Sequence, residues 1–331
     1  MRCAVIGAGA WGTALADLLA ADGQQVRLWA FEPDVVASVN ERHENVRFLA
    51  GVALSPKLVA TNDQAEAVEG ASVVVYATPS NHLRAIARAA AACVKPDAIL
   101  AVASKGIELG TLALMTDVVA SEVPGRAVVA LSGPSFAAEV AARQPTAIVA
   151  ASTDPAAALT IQEAMSSESF RIYTHDDVVG VELGGALKNV MAVATGILEG
   201  VGLGFNARAA LITRGLAEMT RLGTSLGAQP ATFAGLAGIG DLVLTCTGSL
   251  SRNRSLGVEI GKGRSLEEAR KGKETVAEGV LSTASAVELA AREGVEMPIA
   301  EMVYRILFDG HSARLAAREL MGRELRAEQD A

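Results

Sequence analysis

Apolar residues are arranged in two different ways along this chain. In the first half they form short continuous runs, at Arg2–Ile6, Gln25–Trp29, 72–77, 98–103, 127–131, 147–151 and 170–173, separated by helical or turn segments. Runs of that length, rich in valine and isoleucine, predict buried strands, and their alternation with helices predicts a doubly wound sheet. From about Val178 onward the strand signals fade and helical periodicity takes over, as in 206–219, where Asn206 is placed to cap the helix. The pattern therefore predicts an α/β domain over residues 1–177 followed by an all-α domain over 178–331.

The first strand runs straight into Gly7-Ala8-Gly9-Ala10-Trp11-Gly12, which reads as a helix start. A G-x-G-x-x-G phrase is weak alone, but with a strand before it, a helix after it and a second strand following it marks a Rossmann-type dinucleotide site. Gly7 allows the tight turn, Gly9 lets the backbone approach a pyrophosphate, and Gly12 lets helix and strand pack closely. Free amides at the helix start face the anion. Just past the second strand stand Phe31 and Glu32. A carboxylate there can accept both hydroxyls of an adenosine ribose, and it would repel a 2′-phosphate a few ångströms away by on the order of a few kcal/mol. The sequence thus favours NAD and disfavours NADP; the other reading of Glu32 is a solvated loop residue before Pro33.

In such sheets ligands sit beyond the carboxyl ends of strands, where Thr78-Pro79-Ser80, Ser104-Lys105-Gly106 and Ser132-Gly133-Pro134-Ser135 fall. The helical half holds a second candidate, Lys188, a single cation in the apolar stretch between Glu182 and Glu199, flanked by Gly184, Gly185 and Asn189. Such a lysine either snorkels its ammonium to water or is held inward for chemistry. Asp241 and Thr245 lie four apart and would share one helix face, where a carboxylate can orient an ammonium and a hydroxyl can hold a substrate oxygen. Alternatively, Asp241 is an N-cap. Ser251-Arg252-Asn253-Arg254 offers a guanidinium fork, an amide and a hydroxyl near a helix start, a match to a phosphate monoester, with a helix cap and a surface arginine as the alternative.

Composition narrows the class. With 331 residues the chain is long enough for about two domains. Its 29 basic and 37 acidic residues give −8, so no broad nucleic-acid surface is expected and any anion site is local. No uncharged apolar run reaches the roughly 18 residues of a membrane span, and the N-terminus enters a strand with no secretory h-region, so a cytoplasmic protein is expected. Cys3, Cys93 and Cys246 are far apart, and His43, His82, His175 and His311 lack ligand spacing, so neither disulfides nor a metal is expected. The mixed charges of 261–274 read as a solvated face, and the polar end, 318–331, as a fraying tail.

Taken in order, Gly7-Ala8-Gly9-Ala10-Trp11-Gly12, Ser104-Lys105-Gly106-Ile107-Glu108, Leu131-Ser132-Gly133-Pro134-Ser135-Phe136-Ala137, Gly185-Ala186-Leu187-Lys188-Asn189-Val190, Gly240-Asp241-Leu242-Val243-Leu244-Thr245-Cys246 and Ser251-Arg252-Asn253-Arg254 resemble the signatures of NAD(P)-dependent glycerol-3-phosphate dehydrogenases. The resemblance spans nearly the whole chain. It implies a Rossmann-type domain, a helical domain, interconversion of sn-glycerol 3-phosphate and dihydroxyacetone phosphate, and a homodimer feeding glycerophospholipid synthesis. By motif it implies Lys188 as proton donor and acceptor, Lys105 beside it at the substrate, Asp241 orienting and Thr245 assisting. Substrate would meet Lys105, Gly133, Ser135, Lys188, Asn189, Asp241, Ser251, Arg252 and Asn253. The cofactor would meet Gly7, Gly9, Ala10, Trp11, Gly12, Phe31, Glu32, Lys105, Ala137, Arg252, Val276 and Glu278.

Two features depart from the bacterial pattern. Phe31-Glu32 stands where bacterial members often carry Arg or His, and with Arg42-His43-Glu44-Asn45-Val46-Arg47-Phe48 it looks like the NAD-specific eukaryotic members. The glycine-rich loop at 200–206 is about two residues shorter than the family pattern. The runner-up resemblance is to 3-hydroxyacid or 6-phosphogluconate dehydrogenases, against which the Ser251–Arg254 phrase argues. A non-enzymatic NAD-sensing protein would have no need for Lys105, Lys188 and Asp241 together.

Overall fold

The computed structural model describes residues 1–271, 277–325, 327 and 328. Eight strands, β1 (Arg2–Ile6), β2 (Gln25–Trp29), β3 (Val59–Thr61), β4 (Val73–Tyr76), β5 (Ile99–Val102), β6 (Val128–Ser132), β7 (Thr146–Ala151) and β8 (Phe170–His175), form one sheet in the order β3-β2-β1-β4-β5-β6-β7-β8. The first six pair in parallel, in register from Cys3 opposite Val26 and Val73 outward. Strand order reverses between β1 and β4, and this switch point opens a crevice at their carboxyl ends.

Two features of the sheet were not given by the strand pattern. β3 escaped the sequence reading because three residues, one of them the exposed Val59, carry too little hydrophobic pattern to register. β7 runs antiparallel to β6, with β8 parallel to β7, so the sheet is mixed rather than wholly parallel. The connection between β6 and β7 has no full crossover helix, just the five-residue helix Ala137–Ala141, which packs against the helix Ala10–Ala21. A parallel return usually carries a helix across the sheet, and a link whose one short helix packs beside Ala10–Ala21 instead sends the strand back.

One apolar cluster lies on each face of the sheet. A third fills the helical half around the helix Val178–Val201, in which every residue from Gly180 to Ile197 is buried. Its length and mean hydropathy of 1.3 would suit a bilayer, yet 89% of that apolar window is buried inside the protein. Its first turns pack against the sheet, Val181 meeting Ala130, Val149 and Ala151. Asp177 caps it, accepting from Gly180 N at 2.8 Å, and also takes Gln229 N and the Thr232 hydroxyl. The helix is thereby anchored in both halves of the molecule, which brings its middle, where Lys188 stands, to the crevice.

Helix ends account for two corrections. The helix Phe205–Ser225 is capped by Gly204 in extended conformation, so Asn206 lies inside the first turn instead of capping it. Arg208, stacked on the Phe205 ring and paired with Glu199, holds that earlier start. Part of the tail expected to fray is ordered, since the helix Ala313–Met321 includes Arg318. Within 261–274, a capping box at Ser265 and Glu268 opens the helix Leu266–Arg270, and Lys262 and Arg264 pair with Glu259; Lys273 and Glu274 lie outside the described residues.

Candidate active site

The glycine loop has the shape a dinucleotide needs. Gly7 has φ +116°, and a Cβ there would meet the Ala77 carbonyl oxygen at 2.7 Å. A Cβ on Gly12 would come within 1.8 Å of the Gly7 oxygen. Around Gly9, in contrast, there is open space within 4 Å of where a side chain would start, at a helix N-terminus that carries no side-chain cap. Free first-turn amides facing open volume fit a pyrophosphate. Ala10 and Trp11, in that first turn, are partly buried against the core, as is Ala137 across from it. Asn45 pins the loop from behind, donating to the Ala8 carbonyl at 2.8 Å and to Thr13 Oγ1 at 2.8 Å.

At the far end of β2, Phe31 is 77% exposed, with its ring edge against Trp29. Glu32 begins the helix Pro33–Arg42 through its backbone, and its carboxylate makes no cap bond, leaving it available to a ribose. Arg47, in the 42–48 segment, pairs with Asp34 at 3.5 Å.

The substrate side is built on Asp241. This carboxylate is fully buried at the start of the helix Asp241–Thr247 and takes one ammonium on each oxygen: Lys188 Nζ on Oδ1 at 2.5 Å and Lys105 Nζ on Oδ2 at 2.7 Å. Lys188 also donates to Thr245 Oγ1 at 3.1 Å, and the Thr245 hydroxyl donates to the Asp241 carbonyl one turn back at 2.7 Å. Lys188 therefore does not snorkel. Lys105 reaches Asp241 across Gly185, where a Cβ would stand 2.6 Å from Ser132 Oγ and 3.4 Å from Lys105 Cδ. The Gly133 carbonyl accepts from Lys105 at 3.3 Å and from the Ser135 hydroxyl at 3.0 Å, which ties the 132–135 loop to the cluster.

Burial sets the protonation chemistry. It pushes the Lys188 ammonium down to about 8; Asp241 opposes that shift and the neighbouring Lys105 charge adds to it. Burial alone would raise the Asp241 carboxyl, but the two ammonium groups outweigh it and hold the group below its usual range. The cluster carries two positive charges to one negative, with Lys188 poised near neutrality.

The Ser251–Arg254 phrase divides into separate jobs. Ser251 caps the helix Arg252–Gly261, accepting from Arg254 N at 3.2 Å. Arg254 turns away and forks onto Glu199. Arg252 is exposed, has no hydrogen bond or ion pair among the described residues, and feels Glu278 through space. Asn253 is buried, donating to Asn189 Oδ1 at 2.9 Å and accepting from Gly279 N at 2.9 Å. This helix reaches the site because its backbone touches that of the Lys188 helix, Gly257 and Gly261 lying against the Val193 and Ile197 carbonyls. Glu278 starts the helix Glu278–Glu293 beside Ser80, and Val276 lies outside the described residues. Asn45 is a crevice residue the sequence did not single out for binding, and Thr78 and Ser80 stand in a strand-end loop that the sequence pointed to without giving either a role. The Thr78 hydroxyl is buried without a partner among the described residues.

A glycine-loop crevice beside a lysine–aspartate–lysine cluster that joins the α/β half to a helical one defines a two-domain nicotinamide-dependent dehydrogenase. Two family descriptions cover almost the whole chain: NAD-dependent glycerol-3-phosphate dehydrogenase N-terminus matches residues 2–158, and the C-terminus matches 177–318. The chain belongs to the NAD-dependent glycerol-3-phosphate dehydrogenase family. It is similar to "Glycerol-3-phosphate dehydrogenase [NAD(P)+]" of Citrifermentans bemidjiense, 54% identical over 99% of this chain and 98% of the relative, and to that of Myxococcus xanthus, 50% identical over 99% of each. Among solved structures, glycerol-3-phosphate dehydrogenase from Coxiella burnetii superposes with a TM-score of 0.94 at 40% identity, covering 97% of this chain and 99% of that one. The chain is thus an oxidoreductase using a nicotinamide cofactor, and its family's reaction interconverts sn-glycerol 3-phosphate and dihydroxyacetone phosphate.

Proposed function

We propose a division of labour among the site residues for that reaction. A bound nicotinamide dinucleotide supplies or accepts the hydride. Lys188 Nζ gives a proton to the C2 oxygen during carbonyl reduction and takes it back during oxidation, while the Lys105 ammonium polarises the same oxygen. Asp241 holds both lysines and Thr245 steadies Lys188. The loop at Gly133 and Ser135, with Asn189, lines the substrate. Arg252 and Asn253, at a helix N-terminus capped by Ser251, hold the phosphate. Gly7, Gly9, Ala10, Trp11 and Gly12 would hold the pyrophosphate, Phe31 and Glu32 the adenosine, and Lys105, Ala137, Arg252 and Glu278 the remainder. The observation that carries this reading is Asp241 clasping Lys105 and Lys188 at once. NADH oxidation with dihydroxyacetone phosphate, run beside unphosphorylated dihydroxyacetone, tests it; equal rates on the two ketones would overturn the phosphate assignment.

Arg252 has no hydrogen bond or ion pair among the described residues, and a charge-assisted bond of the kind it offers contributes about 1.5–3 kcal/mol. Arg252→Ala is expected to raise the KM for dihydroxyacetone phosphate by roughly one to two decades. An unchanged KM would move the phosphate elsewhere.

The Glu32 carboxylate, which makes no cap bond, supports a preference for NADH over NADPH. Measured as kcat/KM, NADH is expected to lead by at least about tenfold, and Glu32→Ala to erase most of that lead by admitting the 2′-phosphate. Equal use of both cofactors by the unaltered protein would refute the assignment. The family resemblance extends the reading to a cytoplasmic homodimer supplying glycerol 3-phosphate for glycerophospholipid synthesis. Restored growth, without added glycerol, of a bacterial strain lacking this activity would support that role, and sedimentation would test the dimer.

A further inference from the structure

Several polar contacts cross between the two domains. Glu182 takes the Thr116 amide and hydroxyl in a buried seam, Ser285 donates to the Ile107 carbonyl, and Lys105 meets Asp241 in the cluster itself. One further contact joins Ser80, which has no role in the division of labour above, to Glu278, which that division places against the cofactor. Ser80, two residues beyond Thr78 at the end of β4, is 6% exposed. Its amide donates to Glu278 Oε1 at 3.3 Å and its hydroxyl to Oε2 at 2.7 Å. Glu278 opens a helix whose next amide, Gly279 N, donates to Asn253, and Asn253 donates to Asn189, the neighbour of Lys188. A run of hydrogen bonds and backbone thus leads from the nucleotide-domain loop to the substrate helix. Gly106 closes the third side: a Cβ there would stand 2.7 Å from Ser80 Cβ and 2.9 Å from its oxygen, so the Lys105 loop packs directly on the pair.

We propose that the Ser80–Glu278 pair is a latch that holds the interdomain cleft at its ligand-binding width before either ligand arrives, making Ser80 a positioning residue for cofactor and substrate alike. The inference rests on the assignment of cofactor and substrate to the two sides of this cleft. Without the Ser80 hydroxyl, a sheltered carboxylate keeps a single long amide bond, and it recovers hydration by drawing the N-terminus of the Glu278–Glu293 helix off the β4 loop. That movement carries the partner of Asn253 away and leaves part of the population open. A ligand that needs the closed cleft then binds more weakly by the closed fraction, but a second ligand arriving after the first finds the cleft already closed. The signature is reciprocal: each ligand alone is weakened, and each restores the other. Loss of a contact between Ser80 and one ligand would weaken that ligand alone, whatever else is bound.

The test compares Ser80→Ala with the unaltered full chain. NADH and sn-glycerol 3-phosphate, both reduced and so unable to react together, are titrated singly and each against saturating amounts of the other. In Ser80→Ala each ligand alone is expected to bind about tenfold more weakly, and within about twofold of normal when the other is present, with kcat changed less than about threefold. Weakening of NADH alone, a deficit that persists with the other ligand saturating, or no change at all would each overturn the latch. Thermal unfolding checks that the variant folds. Should it not, Gly106→Ala, which pushes Ser80 aside from the opposite wall, must show the same reciprocal pattern or the proposal fails. If the unaltered protein does not oxidise NADH with dihydroxyacetone phosphate, it is the functional assignment that falls, independently of Ser80.

Discussion

Replacing Lys188 with alanine is expected to lower kcat by on the order of 10²-fold or more while NADH still binds, because the change removes the proton donor and leaves the glycine loop untouched. The same lysine should write itself into the pH dependence. Burial pushes its ammonium down to about 8, and dihydroxyacetone phosphate reduction needs the protonated form. Measured as kcat/KM, which reports the free enzyme, reduction should be flat at lower pH and fall about tenfold per pH unit above about 8. Oxidation of glycerol 3-phosphate needs the neutral amine, so it should rise with pH and level off above the same point. Near-normal turnover of Lys188→Ala, or flat profiles in both directions from about pH 7 to 9, would remove Lys188 from proton transfer.

The second large effect concerns stability. Asp241 is the sole carboxylate touching either lysine among the described residues, and it is wholly buried. Asp241→Asn keeps the shape but leaves two sheltered ammonium groups facing one neutral amide. Breaking a buried pair from one side costs about 3–5 kcal/mol, so a loss of that order is expected at neutral pH, along with most of the activity. The sign of its pH dependence follows from Lys188. In the variant its folded pKa falls further below the unfolded value, the unfolded chain then binds more protons, and stability rises with pH. The deficit should therefore shrink as pH climbs toward about 8, where Lys188 of the unaltered protein also sheds its proton, and stay level above that point. Denaturant melts at several pH values check this; a small deficit that does not change with pH would mean that the lysines reach water.

How much could be read beforehand differs from one part of the site to another. The glycine loop was legible because its three glycines answer to local constraints: a left-handed turn at Gly7, open space over Gly9, and helix-to-strand contact at Gly12. The pairing of Asp241 with Thr245 was legible too, since four residues on one helix fix a shared face. Other motifs could be recognised but not apportioned. Ser251, Arg252, Asn253 and Arg254 all looked fit for phosphate, yet the helix assigns Ser251 to capping and points Arg254 at Glu199, which leaves Arg252 without a partner among the described residues. Asn206 failed as a cap because Gly204 could adopt the extended cap conformation first. The direction of β7 was invisible, because a strand's side-chain pattern is the same whichever way it runs.

Periodicity and the glycine phrase were enough to establish an α/β nucleotide domain joined to a helical one, because burial and backbone turns act over a few neighbouring residues. Whether Lys188 faced inward was open until packing placed Asp241, 53 positions away, against it and brought Lys105, 136 positions from Asp241, to the other oxygen. Ser80 and Glu278 are 198 positions apart and meet for the same reason. Contacts of that span depend on how whole helices seat on the sheet and on one another, and no stretch of chain short enough to show a pattern contains both partners.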